Sequence, residues 1–347
     1  MKNKVVGIGM SGGVDSSVAA LLLKEEGYEV IGITMKLIDD EKSNSAIDDA
    51  KKICTSLNIQ HHVIDLQKEF KEIVISNFIE LFKNGLTPNP CIVCNKFFKF
   101  GLFYEKAKEL GCDYIATGHY AKVIDGKLYR ADVIEKDQSY FLYSINKDVL
   151  NHVIFPLQGY SDKNDIREIA HKANLAVSNK KDSQEICFVP NDDYKSYLDM
   201  NIDEEPILGD ICLEDGTVLG HHNGLMHYTI GQRKGLNISY SEPLYVTLID
   251  KENNKVIVGS NEKLFKKSLI ATNINLLVSE SKLDEEVYAK VRSHGKLKRC
   301  SVKLLSNNEA KVEFLENERA ITPGQSVVFY DKDDCCLGGG IIKEALK

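Results

Sequence analysis

Over roughly its first third the sequence alternates short apolar runs with amphipathic segments at helical spacing, and this alternation constrains the fold more than any other feature. Residues 4–10 form an apolar run that enters a glycine-rich turn. Residues 15–26 then carry Val18, Leu21 and Leu22 at helical spacing, with Gly27 as a C-terminal stop. Residues 28–35 repeat the buried-strand pattern. A second helix over 45–57 shows Ile47, Ala50, Ile53, Cys54 and Leu57, and 61–66 reads as a third strand. Segments 68–82 and 97–110 read as further helices, and 113–118 as a fourth strand. Parallel neighbours need long crossovers, and helices of this length supply them. The expectation is an α/β fold: a mostly parallel sheet covered on both faces.

The pattern changes after about residue 200. Asp215-Gly216, Asn253-Asn254 and Asn307-Asn308 each sit between short alternating apolar runs, as hairpin turns do, and long helices disappear. The polar run Met200-Asn201-Ile202-Asp203-Glu204-Glu205-Pro206 marks a boundary, and a second falls near Lys266. The expected domains are 1–200 (α/β), 201–265 (small, β-rich) and 266–347 (β-barrel-like). A length of 347 residues agrees with more than one domain. No apolar run approaches the ~20 residues a membrane span needs, and the start runs straight into a strand, so a cytoplasmic protein without a membrane partner is expected. The nine cysteines then read as reduced thiols rather than a disulfide framework. A net charge of −7 argues against a surface that is positive throughout, but not against a local basic groove. Lys290, Arg292, Lys296, Lys298, Arg299 and Lys303 are the candidates for one; a solvated face is the other reading of that cluster.

The first turn contains Gly7-Ile8-Gly9-Met10-Ser11-Gly12, a dinucleotide fingerprint by pattern, but the second strand ends Ile33-Thr34-Met35-Lys36 without the ribose-binding acid. One register later the turn reads Ser11-Gly12-Gly13-Val14-Asp15-Ser16-Ser17. Two glycines let the backbone approach an anion, hydroxyls can donate to phosphate oxygens, and the helix aims its N–H groups at the ligand. No Gly-Lys-Ser/Thr follows, so this is not the kinase and GTPase P-loop. Directly after an N-terminal strand, these seven residues resemble the pyrophosphate loop of the N-type ATP pyrophosphatases. That resemblance implies cleavage of ATP to AMP and pyrophosphate, with AMP activating a substrate oxygen.

Cys91 and Cys94 lie in Thr87-Pro88-Asn89-Pro90-Cys91-Ile92-Val93-Cys94-Asn95-Lys96, with a helix pattern starting after Cys94. A thiol just ahead of a helix, with Lys96 and Lys99 nearby, has reasons for a lowered pKa. A zinc half-site, a redox dithiol and a nucleophile with a neighbour all fit the spacing, although no second C-x-x-C exists to complete a zinc site. Cys187 follows the polar run Lys180-Lys181-Asp182-Ser183-Gln184-Glu185-Ile186, which looks like a loop. Cys54, Cys112, Cys212, Cys300, Cys335 and Cys336 fit apolar or strand patterns and read as structural.

Taken together, the Ser11–Ser17 string, Asn89-Pro90-Cys91-x-x-Cys94-Asn95 and Asp182-Ser183-Gln184-Glu185-Ile186-Cys187-Phe188 resemble the bacterial tRNA-specific 2-thiouridylases. Further matches are Ala116-Thr117-Gly118-His119-Tyr120, Lys136-Asp137-Gln138-Ser139-Tyr140-Phe141-Leu142, Gly231-Gln232-Arg233-Lys234-Gly235-Leu236 and Thr322-Pro323-Gly324-Gln325. They run in family order through all three expected domains. The family replaces oxygen by sulfur at C2 of the wobble uridine, position 34, of tRNA. By this resemblance Cys94 is the catalytic nucleophile and Cys187 the persulfide carrier. Gly9, Met10, Ser11, Gly12, Gly13, Val14, Asp15 and Ser16 hold ATP, whose adenosine lies between Met35 and Gly118. Asn89, Pro90 and Cys91 meet the target base, and His119, Asp137, Gln138, Ser139, Arg292 and Gln325 contact tRNA.

The resemblance further implies ATP with magnesium, no dedicated protein metal site, and persulfide sulfur from a donor protein (a cysteine desulfurase or sulfur carrier). Two departures stand out. Many members carry aspartate, a candidate proton shuttle, where this chain has Cys91, and Arg-Tyr where it has Arg292-Ser293. Two rival readings use the same residues: an iron–sulfur-dependent tRNA thiolase built on Cys91, Cys94 and Cys187, and an ATP pyrophosphatase ligase acting on a small metabolite. A third, not an enzyme, is an RNA-binding adaptor with a dead nucleotide loop.

Overall fold

The computed structural model describes residues 4–160, 162–177 and 186–346. Its N-terminal part is built on a five-stranded parallel sheet in the order Gln60–Asp65, Glu29–Lys36, Val5–Gly9, Tyr114–Ala116, Val153–Ile154. The chain starts in the middle strand, builds outward on one side, then crosses to the other at Tyr114–Ala116. Adjacent loops therefore diverge between Val5–Gly9 and Tyr114–Ala116, the switch point where open α/β sheets bind ligands. Both faces are covered. Val6 and Ile8 pack with Val14, Val18, Ala50, Ile53 and Ile166 on one side, while Ile31 and Ile33 join Phe100, Phe103 and Ala107 on the other.

The second helix, Glu41–Ser56, begins four residues earlier than the apolar periodicity indicates. Its first turn is polar and is held by the Asp40 side chain, which accepts from the Ser43 N–H at 2.7 Å. The last α-helix is Tyr194–Asn201, after which exposed Met200, Ile207 and Leu208 mark irregular chain.

Beyond it lies a four-stranded sheet, ordered Tyr245–Asp250, Lys255–Gly259, Gly209–Leu213, Val218–His222. A closed six-stranded barrel follows: Phe265–Leu276, Glu309–Arg319, Lys298–Leu304, Val287–Lys290, Ser326–Tyr330 and Cys336–Leu346. The turn residues fall where the sequence places them, with left-handed backbone at Gly216, Asn254, Asn307 and Asn308. One hairpin, Lys122–Ile124 with Lys127–Tyr129, is absent from the reading above, although the Asp125-Gly126 pair at its tip is its signal.

The barrel is fastened to the N-terminal part through residues 137–145. The Tyr140 hydroxyl donates to the Ser326 carbonyl at 2.9 Å, the Ser139 and Tyr330 hydroxyls meet at 3.0 Å, and Asn275 Nδ2 donates to the carbonyls of Tyr143 and Ile145 at 2.7 and 3.0 Å. Arg130 adds an ion pair to Asp334 at 2.7 Å.

Candidate functional site

The loop that leaves Val5–Gly9 is held in shape by its own hydrogen bonds. Met10 N–H donates to the Ile33 carbonyl at 2.9 Å, and Thr34 Oγ1 donates to the Met10 carbonyl at 3.0 Å. Ser16 Oγ accepts from the Ser11 N–H at 3.2 Å, and the two hydroxyls lie 3.1 Å apart. Gly12 has φ +63°, and a Cβ there would collide with the Ala46 carbonyl, so only glycine fits. Helix Val14–Glu25 starts at once, with Gly13 as an extended N-cap that supplies no side-chain acceptor. A helix start without a side-chain cap is the kind of N-terminus that suits an anion. From the other side of the switch point comes Gly118, whose added Cβ would sit 3.1 Å from the Ser16 nitrogen. Tyr120 OH donates to Asp15 Oδ1 at 3.0 Å. Half-buried Met35 is the next-to-last residue of strand Glu29–Lys36.

The cysteines sit on a different framework from the one the sequence implies. The helix starts at Pro90, which needs no amide partner at a first helical position, and continues through Pro90–Cys94, Asn95–Leu102 and Phe103–Glu109. Cys94 is therefore inside the helix rather than ahead of it. Here it is buried with Phe70, Phe98, Phe188 and Val189. Burial pushes its thiol up to about 12, and the Lys99 charge pulls it down by less. The lowered pKa expected for Cys94 is thus overturned in this state, because loss of water outweighs one nearby cation.

Phe188 and Val189 belong to the same apolar cluster as Cys94, so the residues next to Cys187 anchor it beside that thiol. Phe188 is gripped edge-on by Phe70 and Phe78, at centroid distances of 5.9 and 5.2 Å. Cys91 and Cys187 are exposed residues; the surrounding protein still raises both thiols, and Lys99 opposes the rise at each. Cys94 feels the charge of both other thiols, Cys187 feels that of Cys91, and all three feel Lys99. The sequence reading names Lys99 only as a nearby charge. Its placement comes from the π-helical stretch Asn95–Leu102, whose wider turn brings the residue five after Cys94 over the Cys94 turn. Lys99 Nζ also lies 3.4 Å from His119 Nε2.

All nine cysteines are free thiols. Among the described residues no three His, Cys, Asp or Glu side chains form a group placed to hold a single metal ion. Cys54, Cys112, Cys212, Cys300, Cys335 and Cys336 are buried away from this site. The segment 182–185 ahead of Cys187 lies outside the described residues.

Asn89 is the N-cap of the Pro90 helix and Pro90 its first residue, with exposed Cys91 next. This turn is clamped by the barrel. Thr87 N–H donates to the Pro323 carbonyl at 3.0 Å, and Gln325 Nε2 donates to the carbonyls of Thr87 and Pro88 at 3.0 and 3.1 Å.

The remaining candidates for tRNA contact are engaged inside the protein. Buried His119 meets Thr117 Oγ1 at 2.7 Å through Nδ1, and burial holds its pKa well below the usual imidazole value. Asp137 is buried, accepts from the Ala131 and Ser139 N–H groups, and pairs with Arg130 and Lys290. Gln138 Oε1 accepts from Tyr120 N–H at 2.9 Å, and Ser139 meets Tyr330. Arg292 donates to the carbonyls of Arg319 and Ala320 at 2.7 and 2.9 Å. The run of basic residues does not form one groove. Lys290 is buried on Asp137, and Lys298 and Arg299 are paired with Glu318 and Glu286 on opposite sides of one strand; Lys296 and Lys303 are exposed.

Comparison with known proteins agrees with this architecture from end to end. A family profile described as the tRNA methyl transferase HUP domain matches residues 4–191, one described as the tRNA methyl transferase PRC-barrel domain matches 195–260, and one described as the Aminomethyltransferase beta-barrel domain matches 266–342. The tRNA-specific 2-thiouridylase MnmA of Clostridioides difficile (strain 630) is 45% identical over 99% of this chain and 99% of its own. The tRNA-specific 2-thiouridylase MnmA 1 of Clostridium tetani (strain Massachusetts / E88) is 47% identical, covering 99% of this chain and 97% of its own. The protein of that name from Caldanaerobacter subterraneus subsp. tengcongensis is 46% identical over the whole of both chains. With that degree of identity along its full length, the chain belongs to the tRNA-specific 2-thiouridylase family.

Proposed function

We propose that this chain is a tRNA-uridine 2-sulfurtransferase, exchanging oxygen for sulfur at C2 of the wobble uridine, position 34, while ATP becomes AMP and pyrophosphate. The observation that carries the reading is the packing of Cys94 and the Cys187 segment into one apolar cluster, with the charge of Lys99 acting on both thiols. A small-metabolite ligase has no use for such an arrangement.

In this reading residues 9–16 hold the ATP phosphates against the first helix, with Met35 and Gly118 on either side of adenosine. The Asp15 carboxylate is the hard oxygen donor at the loop, which fits a magnesium ion carried in on the phosphates; when bound, the ion neutralises phosphate charge. Asn89, Pro90 and Cys91 receive the uracil, taken out of the anticodon stack. Its C2 oxygen attacks the α-phosphorus and pyrophosphate leaves. The oxygen, a poor leaving group as carbonyl, then departs as part of AMP.

Sulfur arrives as a persulfide on Cys187, loaded by an upstream cysteine desulfurase or sulfur carrier. The terminal sulfur bonds to C2 as AMP leaves. The Cys94 thiolate attacks the Cys187 sulfur and releases the thiocarbonyl; equivalently, it releases hydrosulfide that attacks C2. Two electrons pass from the thiols to the transferred sulfur, leaving a Cys94–Cys187 disulfide that an external thiol must reduce. The buried Cys94 thiol loses its proton first, favoured by Lys99. His119, Asp137, Gln138, Ser139, Arg292 and Gln325 shape the tRNA surface by fixing the loops they bond. The three units act as catalytic (1–200), central (201–265) and tRNA-contacting (266–347) domains in the cytoplasm.

The test is stoichiometry. With unmodified tRNA, ATP, magnesium and a persulfide donor, AMP and 2-thiouridine form one for one. AMP formation without tRNA dependence would count against the proposal.

A further inference from the structure

Lys136 carries a buried Nζ with no hydrogen-bond partner among the described residues. Of the two acids that flank it in sequence, Glu135 is exposed, and Asp137 is turned elsewhere: its two oxygens are taken by the Ala131 and Ser139 N–H groups, Arg130 and Lys290. What Nζ does meet is the face of Tyr120, 5.4 Å from the ring centroid. A ring face attracts a cation but accepts none of its three N–H bonds in the way an oxygen does. A buried ammonium so placed is incomplete without an anion.

Its position says where that anion comes from. The Tyr120 hydroxyl donates to Asp15 Oδ1 at 3.0 Å, so Lys136 stands one aromatic ring away from the glycine-rich loop. Gly118, two residues before Tyr120, lies against the first turn of the loop's helix. The segment bearing Lys136 is fixed to the same strand exit, because Gln138 N–H donates to the Tyr120 carbonyl and Gln138 Oε1 accepts from the Tyr120 N–H, both at 2.9 Å. The loop itself contributes hydroxyls and N–H groups but no cationic side chain between Gly9 and Ser17. An ATP loop without the lysine of a P-loop needs a charge from elsewhere.

We infer that Lys136 is that charge: a phosphate-binding residue that completes the nucleotide site and holds the pyrophosphate as it leaves. This rests on the ATP reading above. It separates Lys136 from its neighbours Asp137 and Ser139, whose bonds are used to join the barrel.

The experiment is titration of wild type and Lys136→Met with ATP, AMP and inorganic pyrophosphate in the presence of magnesium, alongside tRNA binding. The expected result is a rise in Kd of about tenfold or more for ATP and pyrophosphate, with AMP and tRNA changed by less than about threefold. Without nucleotide the variant melts no lower than wild type, since it loses an unpartnered buried charge, but ATP raises its melting temperature by less. Unchanged ATP and pyrophosphate affinity, or a loss confined to tRNA, would overturn the inference while leaving the function intact. A wild-type protein that binds neither ATP nor pyrophosphate would overturn the ATP reading itself.

Discussion

Gln325, in a loop of the C-terminal barrel, donates both its amide hydrogens' worth of bonding to the chain leading into the helix that begins at Pro90: Nε2 reaches the Thr87 carbonyl at 3.0 Å and the Pro88 carbonyl at 3.1 Å. Gly324 makes this approach feasible, because a Cβ there would sit 2.8 Å from the Thr87 nitrogen. The barrel thus sets the position of Asn89, Pro90 and Cys91. Each bond contributes about 1 kcal/mol of net stability, and small misplacements near reacting atoms cost up to ~100-fold in rate. Gln325→Leu is expected to slow single-turnover thiolation about tenfold or more with tRNA Kd changed by less than about threefold. A tRNA contact by Gln325 would give the opposite split.

Cys94 is held protonated by burial, with Lys99 opposing. Because its pKa lies near 12, the thiolate fraction rises about tenfold per pH unit across the neutral and mildly alkaline range. Alkylation of Cys94 in the free protein should rise in step with pH. Lys99→Met should slow it several-fold at any fixed pH in that range, and Lys99→Arg should restore most of the rate. A Cys94 rate that levels off near neutral pH would contradict the burial argument.

Gly12→Ala places a methyl group against the Ala46 carbonyl in a left-handed backbone. The conformation alone costs about 1–2 kcal/mol for a residue with a Cβ, and the clash adds to it. The expected outcome is lower stability in urea titration together with loss of ATP binding.

His119 is buried with its pKa depressed, so the unfolded chain takes up a proton before the folded one. Stability from this site is present above about pH 6.5 and is lost as pH falls below it. Half-buried His61 and buried His222 shift in the same direction. Urea unfolding between pH 7 and 5 should show falling stability, and His119→Gln should flatten that slope.

Much of the fold is legible in the chain because strand and helix periodicities differ and turns carry Asp-Gly or Asn-Asn. Val6 and Ile8 mark a strand face, and Asn307-Asn308 a hairpin. The site is legible only as a set of motifs. That the helix begins at Pro90 and buries Cys94 depends on Phe70, Phe98 and Phe188, which are far apart in sequence and meet only after folding. Lys99 joins the thiols because the helix widens at Asn95–Leu102, a register that no periodicity announces. Asp137 and Ser139 look like surface contacts in the sequence, yet their partners Lys290 and Tyr330 come from the barrel.

The central claim is that Cys187 carries the sulfur and Cys94 releases it. Nucleoside mass analysis of unmodified tRNA, after incubation with the protein, ATP, magnesium and a persulfide donor, tests it most directly. The prediction is an oxygen-to-sulfur mass gain at uridine 34 for wild type, absent in Cys187→Ser and Cys94→Ser. Undiminished exchange in either variant, or none in wild type under both aerobic and anaerobic iron-reconstituted conditions, would contradict it.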